Sequence, residues 1–77
     1  MAMICLSDAQ RNKNYKIDKL KISDKSLNVQ MQNLGFVSGE NIKLLFYNYG
    51  KKSLMVEVMG VKYAVDKVVA NDIMIYE

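Results

Sequence analysis

Residues 24–39, DKSLNVQMQNLGFVSG, decide the fold of this chain. Their apolar side chains recur at the spacing of one helix face: Leu27, Met31, Leu34. Ser23 or Asp24 can cap the first turn, and Gly35 follows directly as a left-handed terminator. The pattern predicts one helix over residues 24–34. About three turns are not stable alone, so this helix must pack against the rest of the chain.

The remaining sequence has the pattern of short strands. From Leu54 to Val58, side chains alternate between an apolar inward face and an outward face, and the alternation resumes from Val61 to Val65. Gly60, between the two runs, forms either a tight turn or a bend within one long strand. Further strands are expected at three places: near Ile4 to Leu6, from Tyr15 to Leu20 or Ile22, and from Ile42 to Tyr47. After a short helical turn within residues 67–71, Ile73 and Ile75 close the chain as a last strand. Asn12 or Asn14 can form a turn with a left-handed backbone.

This order of elements predicts a mainly β fold, a small SH3-like barrel of five or six strands with one short α-helix covering one end. Strands spaced at about 8–12 residues are typical of a barrel or sandwich. Curling a small sheet into a barrel would also remove its open edges. We expect residues 1–77 to form a single domain.

The composition excludes several classes of function. The chain has 77 residues, no His and one Cys, so it offers no imidazole ligand, no internal disulfide and no cysteine cluster for zinc or iron–sulfur. No apolar run approaches the ~20 residues that cross a bilayer. The first eight residues lack the features of a secretory signal. We therefore expect a cytoplasmic protein that does not insert into a membrane.

The net charge of +3 lies in the first half of the chain. Residues 1–35 carry six basic and three acidic side chains, whereas residues 36–77 carry five of each. A basic face on a small barrel leaves nucleic-acid binding as an alternative function. The chain has a single Arg and few aromatic residues, which favours a solvated lysine-rich face instead, so we expect no nucleic-acid partner.

Four side chains are candidates for contact with a protein partner. Met55 and Met59 face away from the Leu54–Val58 core positions, and Tyr47 or Tyr49 can lie nearby. The alternative is that they pack against the helix as a second small core. Cys5, between Ile4 and Leu6, is expected to be a small buried apolar residue and not a reactive thiol.

Residues 31–40, MQNLGFVSGE, resemble the signature of the FeoA family, small cytosolic proteins of bacterial ferrous iron uptake. The same module forms the C-terminal SH3-like domain of metal-dependent repressors of the diphtheria-toxin-repressor type. Three further segments extend the likeness over nearly the whole chain: residues 6–9 (LSDA), residues 60–65 (GVKYAV) and residues 70–75 (ANDIMI).

The residues that match the family signature can also be explained by the structural roles we expect for them. We expect Leu34 to hold the helix to the barrel, Gly35 and Gly39 to make turns, and Gly60 to interrupt the strand pattern. Ala64 is small, which suggests that another backbone approaches it closely. These needs specify a fold more than a function.

No nucleophile–base pair, phosphate-binding glycine loop or metal-ligand set is present, so we predict no enzymatic activity, no cofactor and no metal site. The resemblance implies an accessory protein that binds the membrane ferrous iron transporter, whose cytoplasmic part contains a GTP-binding domain. It also implies transition-metal ion binding at the level of the family. A stand-alone metal-responsive regulatory domain is a further alternative. The oligomeric state stays open.

Overall fold

The computed structural model describes residues 2–77. Six strands, two α-helices and a 3₁₀ turn follow one another along the chain: β1 Ile4–Cys5, the 3₁₀ turn Leu6–Asp8, β2 Asn14–Leu20, α1 Lys25–Asn33, β3 Asn41–Asn48, β4 Ser53–Val58, β5 Val61–Asp66, α2 Lys67–Ala70 and β6 Ile73–Tyr76. The strands form one antiparallel sheet in the order β1-β6-β2-β3-β4-β5.

The sheet surrounds a single apolar core. Alternate side chains of the long strands point inward and are almost fully buried: Ile17, Ile42, Leu44, Leu54, Val56, Ile73 and Ile75. Leu6 from the 3₁₀ turn and Phe36 from the segment after α1 complete this core, both at 0% exposure. The alternation of β4 observed in the structure is therefore the one that its sequence predicts.

Helix α1 begins and ends where the sequence predicts. The Asp24 side chain accepts a hydrogen bond of 3.2 Å from the Leu27 backbone N–H, and this cap satisfies one of the free donors of the first turn. Gly35 follows the helix with φ +113°, a conformation that glycine adopts without steric cost. Met31 is buried and Leu27 packs against the core.

One expectation about this helix is wrong. Leu34 is 44% exposed and does not hold the helix to the barrel through its side chain. Its backbone carbonyl instead accepts a hydrogen bond of 3.1 Å from the Tyr63 hydroxyl. Phe36 makes the apolar contact, because the turn at Gly35 directs it into the core against the Tyr63 ring, 5.4 Å away between centroids. The apolar face of α1 that packs on the core therefore ends at Met31, one turn earlier than the spacing of Leu27, Met31 and Leu34 predicts.

Tight turns connect the strands of the second half. Gly60 and Met59 form the two-residue loop between β4 and β5, with φ of +78° and +53°. Positive φ at both central positions is the requirement of a type I′ hairpin turn, so Gly60 marks a turn and not a bend within one strand.

Two turns earlier in the chain also have a left-handed backbone. Gly39 has φ +88° just before β3, and Asn12, with φ +62°, makes the left-handed turn before β2.

The barrel is not closed by hydrogen bonds. In the part of the chain that the structure describes, β1 and β5 are the two edges of the sheet, and neither pairs with the other. The expectation that curling removes both edges is therefore wrong, although the barrel itself is confirmed. Edge strand β1 has only two residues, whereas edge strand β5 has six.

Candidate partner-binding surface

Two tyrosines at the end of β3 form the most prominent aromatic feature of the surface. The rings of Tyr47 and Tyr49 stack with centroids 5.7 Å apart and an angle of 24° between their planes. Tyr47 is half-buried against the core, whereas Tyr49 is 83% exposed. A large ring held in one orientation and left open to solvent suits contact with a partner, since little side-chain entropy remains to be lost on binding.

The inner ring of the stack is held by hydrogen bonds to the backbone in and just after the 3₁₀ turn. The Tyr47 hydroxyl donates to the backbone carbonyls of Ser7 and Ala9, at 2.5 and 3.3 Å. Burial raises the pKa of Tyr47, with smaller contributions from the neighbouring Tyr49 and Asp8. The phenol therefore stays protonated at neutral pH and continues to act as a donor.

The tyrosines border a cleft of about 660 Å³. Its walls come from the 3₁₀ turn, the β3–β4 hairpin and the start of α2, and carry three charged side chains: Asp8, Lys52 and Lys67. The backbone at Lys67 is bonded to this hairpin, since its N–H donates to the Lys52 carbonyl at 2.9 Å. The cleft therefore combines an exposed aromatic ring with side chains of both charge signs.

Met55 lies on the outer face of the sheet and does not line the cleft. It is half-buried and pairs with Phe46 on β3 and with Ala64 on β5. Phe46 is 42% exposed and Ala64 is exposed, so the three side chains form an apolar strip across three strands. We call Phe46, Met55 and Ala64 the outer strip.

Sequence reasoning missed Phe46 because of a β-bulge. The pairing of β3 with β4 shifts between Leu44 and Phe46, so that Leu45 is the extra residue. Simple alternation would direct Phe46 inward like Leu44, but the bulge reverses the phase and turns Phe46 outward. That Lys52 and Lys67 line the same cleft could not be predicted either, because the two residues are distant in sequence.

Met59 is separated from the other three candidates. It lies in the β4–β5 turn, at the opposite end of β4 from the tyrosines, and is 65% exposed. Its sulfur lies beside Gly35, where an added Cβ would come within 2.9 Å of Sδ. The four predicted contact residues therefore form no single patch: Tyr47 and Tyr49 lie at the cleft, Met55 lies on the outer face of the sheet, and Met59 lies near the end of α1.

Two smaller expectations also need correction. Cys5 is half-buried and not apolar in its surroundings, because its Sγ lies 3.0 Å from the Ser7 Oγ and 3.2 Å from the Asp8 carboxylate. Ala64 is exposed on the outer face of an edge strand, and within residues 2–77 only β4 pairs with it. The close approach of a further backbone is not observed within one copy of the chain.

Neither a metal cluster nor a membrane span is found in the described residues. Among residues 2–77, no three Cys, Asp or Glu side chains are grouped so that they could hold a metal ion. Within the same range, no helix is long and apolar enough to cross a bilayer.

Solved structures of similar fold cover almost the whole chain. The FeoA protein of Chlorobium tepidum superposes with a TM-score of 0.87 at 16% identity, over 95% of this chain and 69% of that one. The FeoA of Stenotrophomonas maltophilia, solved with zinc and described as a prokaryotic SH3 domain protein, gives 0.81 at 19% identity, over 94% and 88%. These likenesses confirm the predicted SH3-like fold.

A longer protein contains the same fold over part of its chain. IdeR of T. acidophilum superposes with a TM-score of 0.82 at 17% identity, over 99% of this chain but only 34% of that one. The chain thus spans about a third of that protein.

Sequence comparison decides the family. No curated protein matches the chain. The family model of the FeoA domain matches residues 4–77, which is all but the first three residues. The resemblance carried by residues 31–40 is therefore confirmed, and this chain belongs to the FeoA family.

Proposed function

We propose that this protein is an accessory component of bacterial ferrous iron uptake that works by protein–protein contact. Its target is the cytoplasmic GTP-binding part of the membrane ferrous iron transporter. Membership of the FeoA family supports the process. The description of the S. maltophilia relative as a candidate activating factor of ferrous iron transport supports a role in modulating the transporter.

The exposed Tyr49 ring is the observation that carries the contact mechanism. It is 83% exposed, yet it is stacked on Tyr47, whose hydroxyl donates a hydrogen bond to the Ser7 carbonyl in the 3₁₀ turn. Tyrosine is enriched among the residues that dominate binding energy at interfaces. The outer strip offers a separate apolar area on the outer face of the sheet, where the adaptable side chain of Met55 can fit the shape of a partner.

Binding to the purified cytoplasmic region of the transporter tests this proposal. Tyr49→Ala and Met55→Asp are each expected to weaken binding by about tenfold or more, as loss of a dominant contact costs roughly 2 kcal/mol. Val29→Asp is the matched control, because Val29 is 57% exposed on α1 and does not line the cleft. Far-UV circular dichroism verifies that each variant is folded.

Met59→Asp tests the other end of β4 separately. Asp tolerates the left-handed backbone found at this position, so the variant is expected to fold. Unchanged binding in the Tyr49→Ala, Met55→Asp double variant, or a loss confined to Met59→Asp, would overturn the assignment to the cleft. Absence of any binding by the unmodified protein would overturn the proposed function itself.

A further inference from the structure

Strand β5 leaves one side of its backbone without a partner. All six of its residues pair with β4, from Val61 opposite Val58 to Asp66 opposite Ser53. On its other side no strand follows in the sheet formed by residues 2–77. An open edge of six residues presents unpaired backbone N–H and C=O groups, which are a template for pairing with a further strand.

The hairpin turn fixes which backbone groups face the open side. In a two-residue hairpin the flanking residues, here Val58 and Val61, exchange hydrogen bonds with each other. Hydrogen-bonding groups alternate along a strand, so Val61, Tyr63 and Val65 bond to β4. The Lys67 N–H follows the same phase, since it bonds to the Lys52 carbonyl at 2.9 Å. The N–H and C=O groups of Lys62 and Ala64 and the N–H of Asp66 therefore point outward from the sheet, while the Asp66 carbonyl, at the N-cap of α2, accepts the first hydrogen bond of that helix.

The outward residues form a self-complementary sequence. Lys62 and Asp66 carry opposite charges and lie at equal distances on either side of Ala64, and all three are exposed. When two such strands run antiparallel with Ala64 at the centre, each lysine faces an aspartate. The smallest side chain of the three lies at the symmetry axis, so the two copies of it do not collide. The free groups also match: the N–H and C=O of each Ala64 face those of the other, and each Asp66 N–H faces a Lys62 carbonyl.

We propose that two copies of this chain associate through antiparallel pairing of their β5 strands. Ala64 pairs with the partner's Ala64, and Lys62 pairs with the partner's Asp66, in both symmetry-related positions. The outer strip of each copy then joins its counterpart across the axis through Ala64, which gives one continuous apolar strip. A second copy is favoured over another extended segment because backbone phase, charge and side-chain size all match in the same register.

The pairing and the transporter contact can be tested separately at the cleft and at the edge. The tyrosine cleft is built from the 3₁₀ turn, the β3–β4 hairpin and the start of α2, and no residue of β5 lines it. Met55 pairs with Ala64 and so lies near both surfaces, whereas Tyr49→Ala alters only the cleft and Lys62→Glu alters only the edge. Failure of the dimer would leave the transporter experiment unaffected.

Sedimentation equilibrium on the full chain, from micromolar to millimolar concentration, tests the proposal. The unmodified protein is expected to shift from the 8.8 kDa monomer toward twice that mass. Lys62→Glu and Asp66→Lys each place like charges opposite each other at two positions, and each should raise the dissociation constant about tenfold or more. An equimolar mixture of the two variants restores both opposite-charge pairs, and is expected to form the heterodimer with near-original affinity.

Lys43→Glu is the matched control for the charge change. Lys43 and Lys62 both pair with Glu57 on the outer face, from β3 and β5 respectively. Reversal of either charge thus produces the same repulsion within one copy, but only Lys62 lies at the edge. Asp66→Lys removes no cap bond, because the Asp66 side chain makes no hydrogen bond to the first turn of α2. Lys43→Glu should leave the dissociation constant unchanged.

Hydrogen exchange identifies the surface used. Amide protection at Lys62, Ala64 and Asp66 is expected to rise with protein concentration, while protection at Val61, Tyr63 and Val65 stays constant. A protein that remains monomeric at millimolar concentration overturns the proposal. Dimers that form without a rise in amide protection at Lys62, Ala64 and Asp66 overturn it equally. So does a failure of Lys62→Glu and Asp66→Lys to associate when they are mixed.

Discussion

Replacement of Gly35 by alanine should destabilise this protein through its backbone. Gly35 has φ +113°, a region that residues with a Cβ adopt only at a cost of roughly 1–2 kcal/mol. The added Cβ would also come within 2.9 Å of the Met59 Sδ. That atom is near the end of a flexible, 65% exposed side chain, so it can move aside at little cost. We therefore expect a loss of about 1–2 kcal/mol, carried almost entirely by the backbone.

Urea unfolding followed by circular dichroism measures this loss. In a domain of this size, each kcal/mol corresponds to a fall of about 4–8 °C in the midpoint of thermal unfolding. Gly50→Ala is the matched control, because Gly50 does not have a positive φ and its added Cβ would meet only the Asn48 side chain, at 3.7 Å. This control should be neutral or more stable by up to about 1 kcal/mol, since alanine reduces the entropy of the unfolded chain.

A double-mutant cycle separates the backbone from the contact. If strain at φ +113° dominates, Met59→Ala should not rescue Gly35→Ala, and the two free-energy changes should add within about 0.5 kcal/mol. Recovery of full stability in the double variant would show that the clash with sulfur was the cause. A Gly35→Ala protein as stable as the original would refute the reasoning altogether.

Three further predictions concern the core, the helix cap and the tyrosine stack. Phe36→Ala should cost about 3–5 kcal/mol by leaving a cavity beside Tyr63, whereas Val37→Ala, at a position 38% exposed, should cost far less; urea unfolding compares them. Asp24→Ala should cost about 1 kcal/mol and reduce the helical signal, because the Leu27 N–H loses its acceptor; an unchanged midpoint would contradict this role. The raised pKa of Tyr47 means that its contribution is complete below the unfolded pKa of about 10 and is lost as pH rises through the folded pKa. Unfolding free energies between pH 9 and 11 should accordingly fall more steeply in the original protein than in Tyr47→Phe, and equal slopes would count against the assignment.

Much of the fold follows from local sequence because its elements have local causes. Asp24 and Gly35 bound the helix through a side-chain acceptor and a left-handed backbone, and both act within a few residues. Alternation in residues 54–58 and 61–65 directs Val56 inward and Glu57 toward the surface irrespective of what packs above them. Such features can be predicted from one sequence because no distant residue alters them.

The candidate surface was predicted only in part. Tyr47 and Tyr49 are separated by one residue where β3 ends and the turn begins, so their stacking has a local origin, and Tyr49 is open to solvent as a contact residue requires. The distance between Met55 and Met59 was not predicted, because the hairpin turn begins at Met59 and ends the alternation. Asp8, Lys52 and Lys67 meet at one cleft only because the barrel brings three separate segments together.

The sequence alone determined the helix, the turns, the alternation of the strands and the family, since each depends on residues within one turn or a few strand positions. Only the tertiary structure decided the exposure of Leu34, the outward position of Phe46 and the open edge at β5. Each of these depends on pairing between distant segments. A bulge changes the phase of a strand relative to its neighbour, and a barrel closes only if its first and last strands meet in register, which no local pattern specifies.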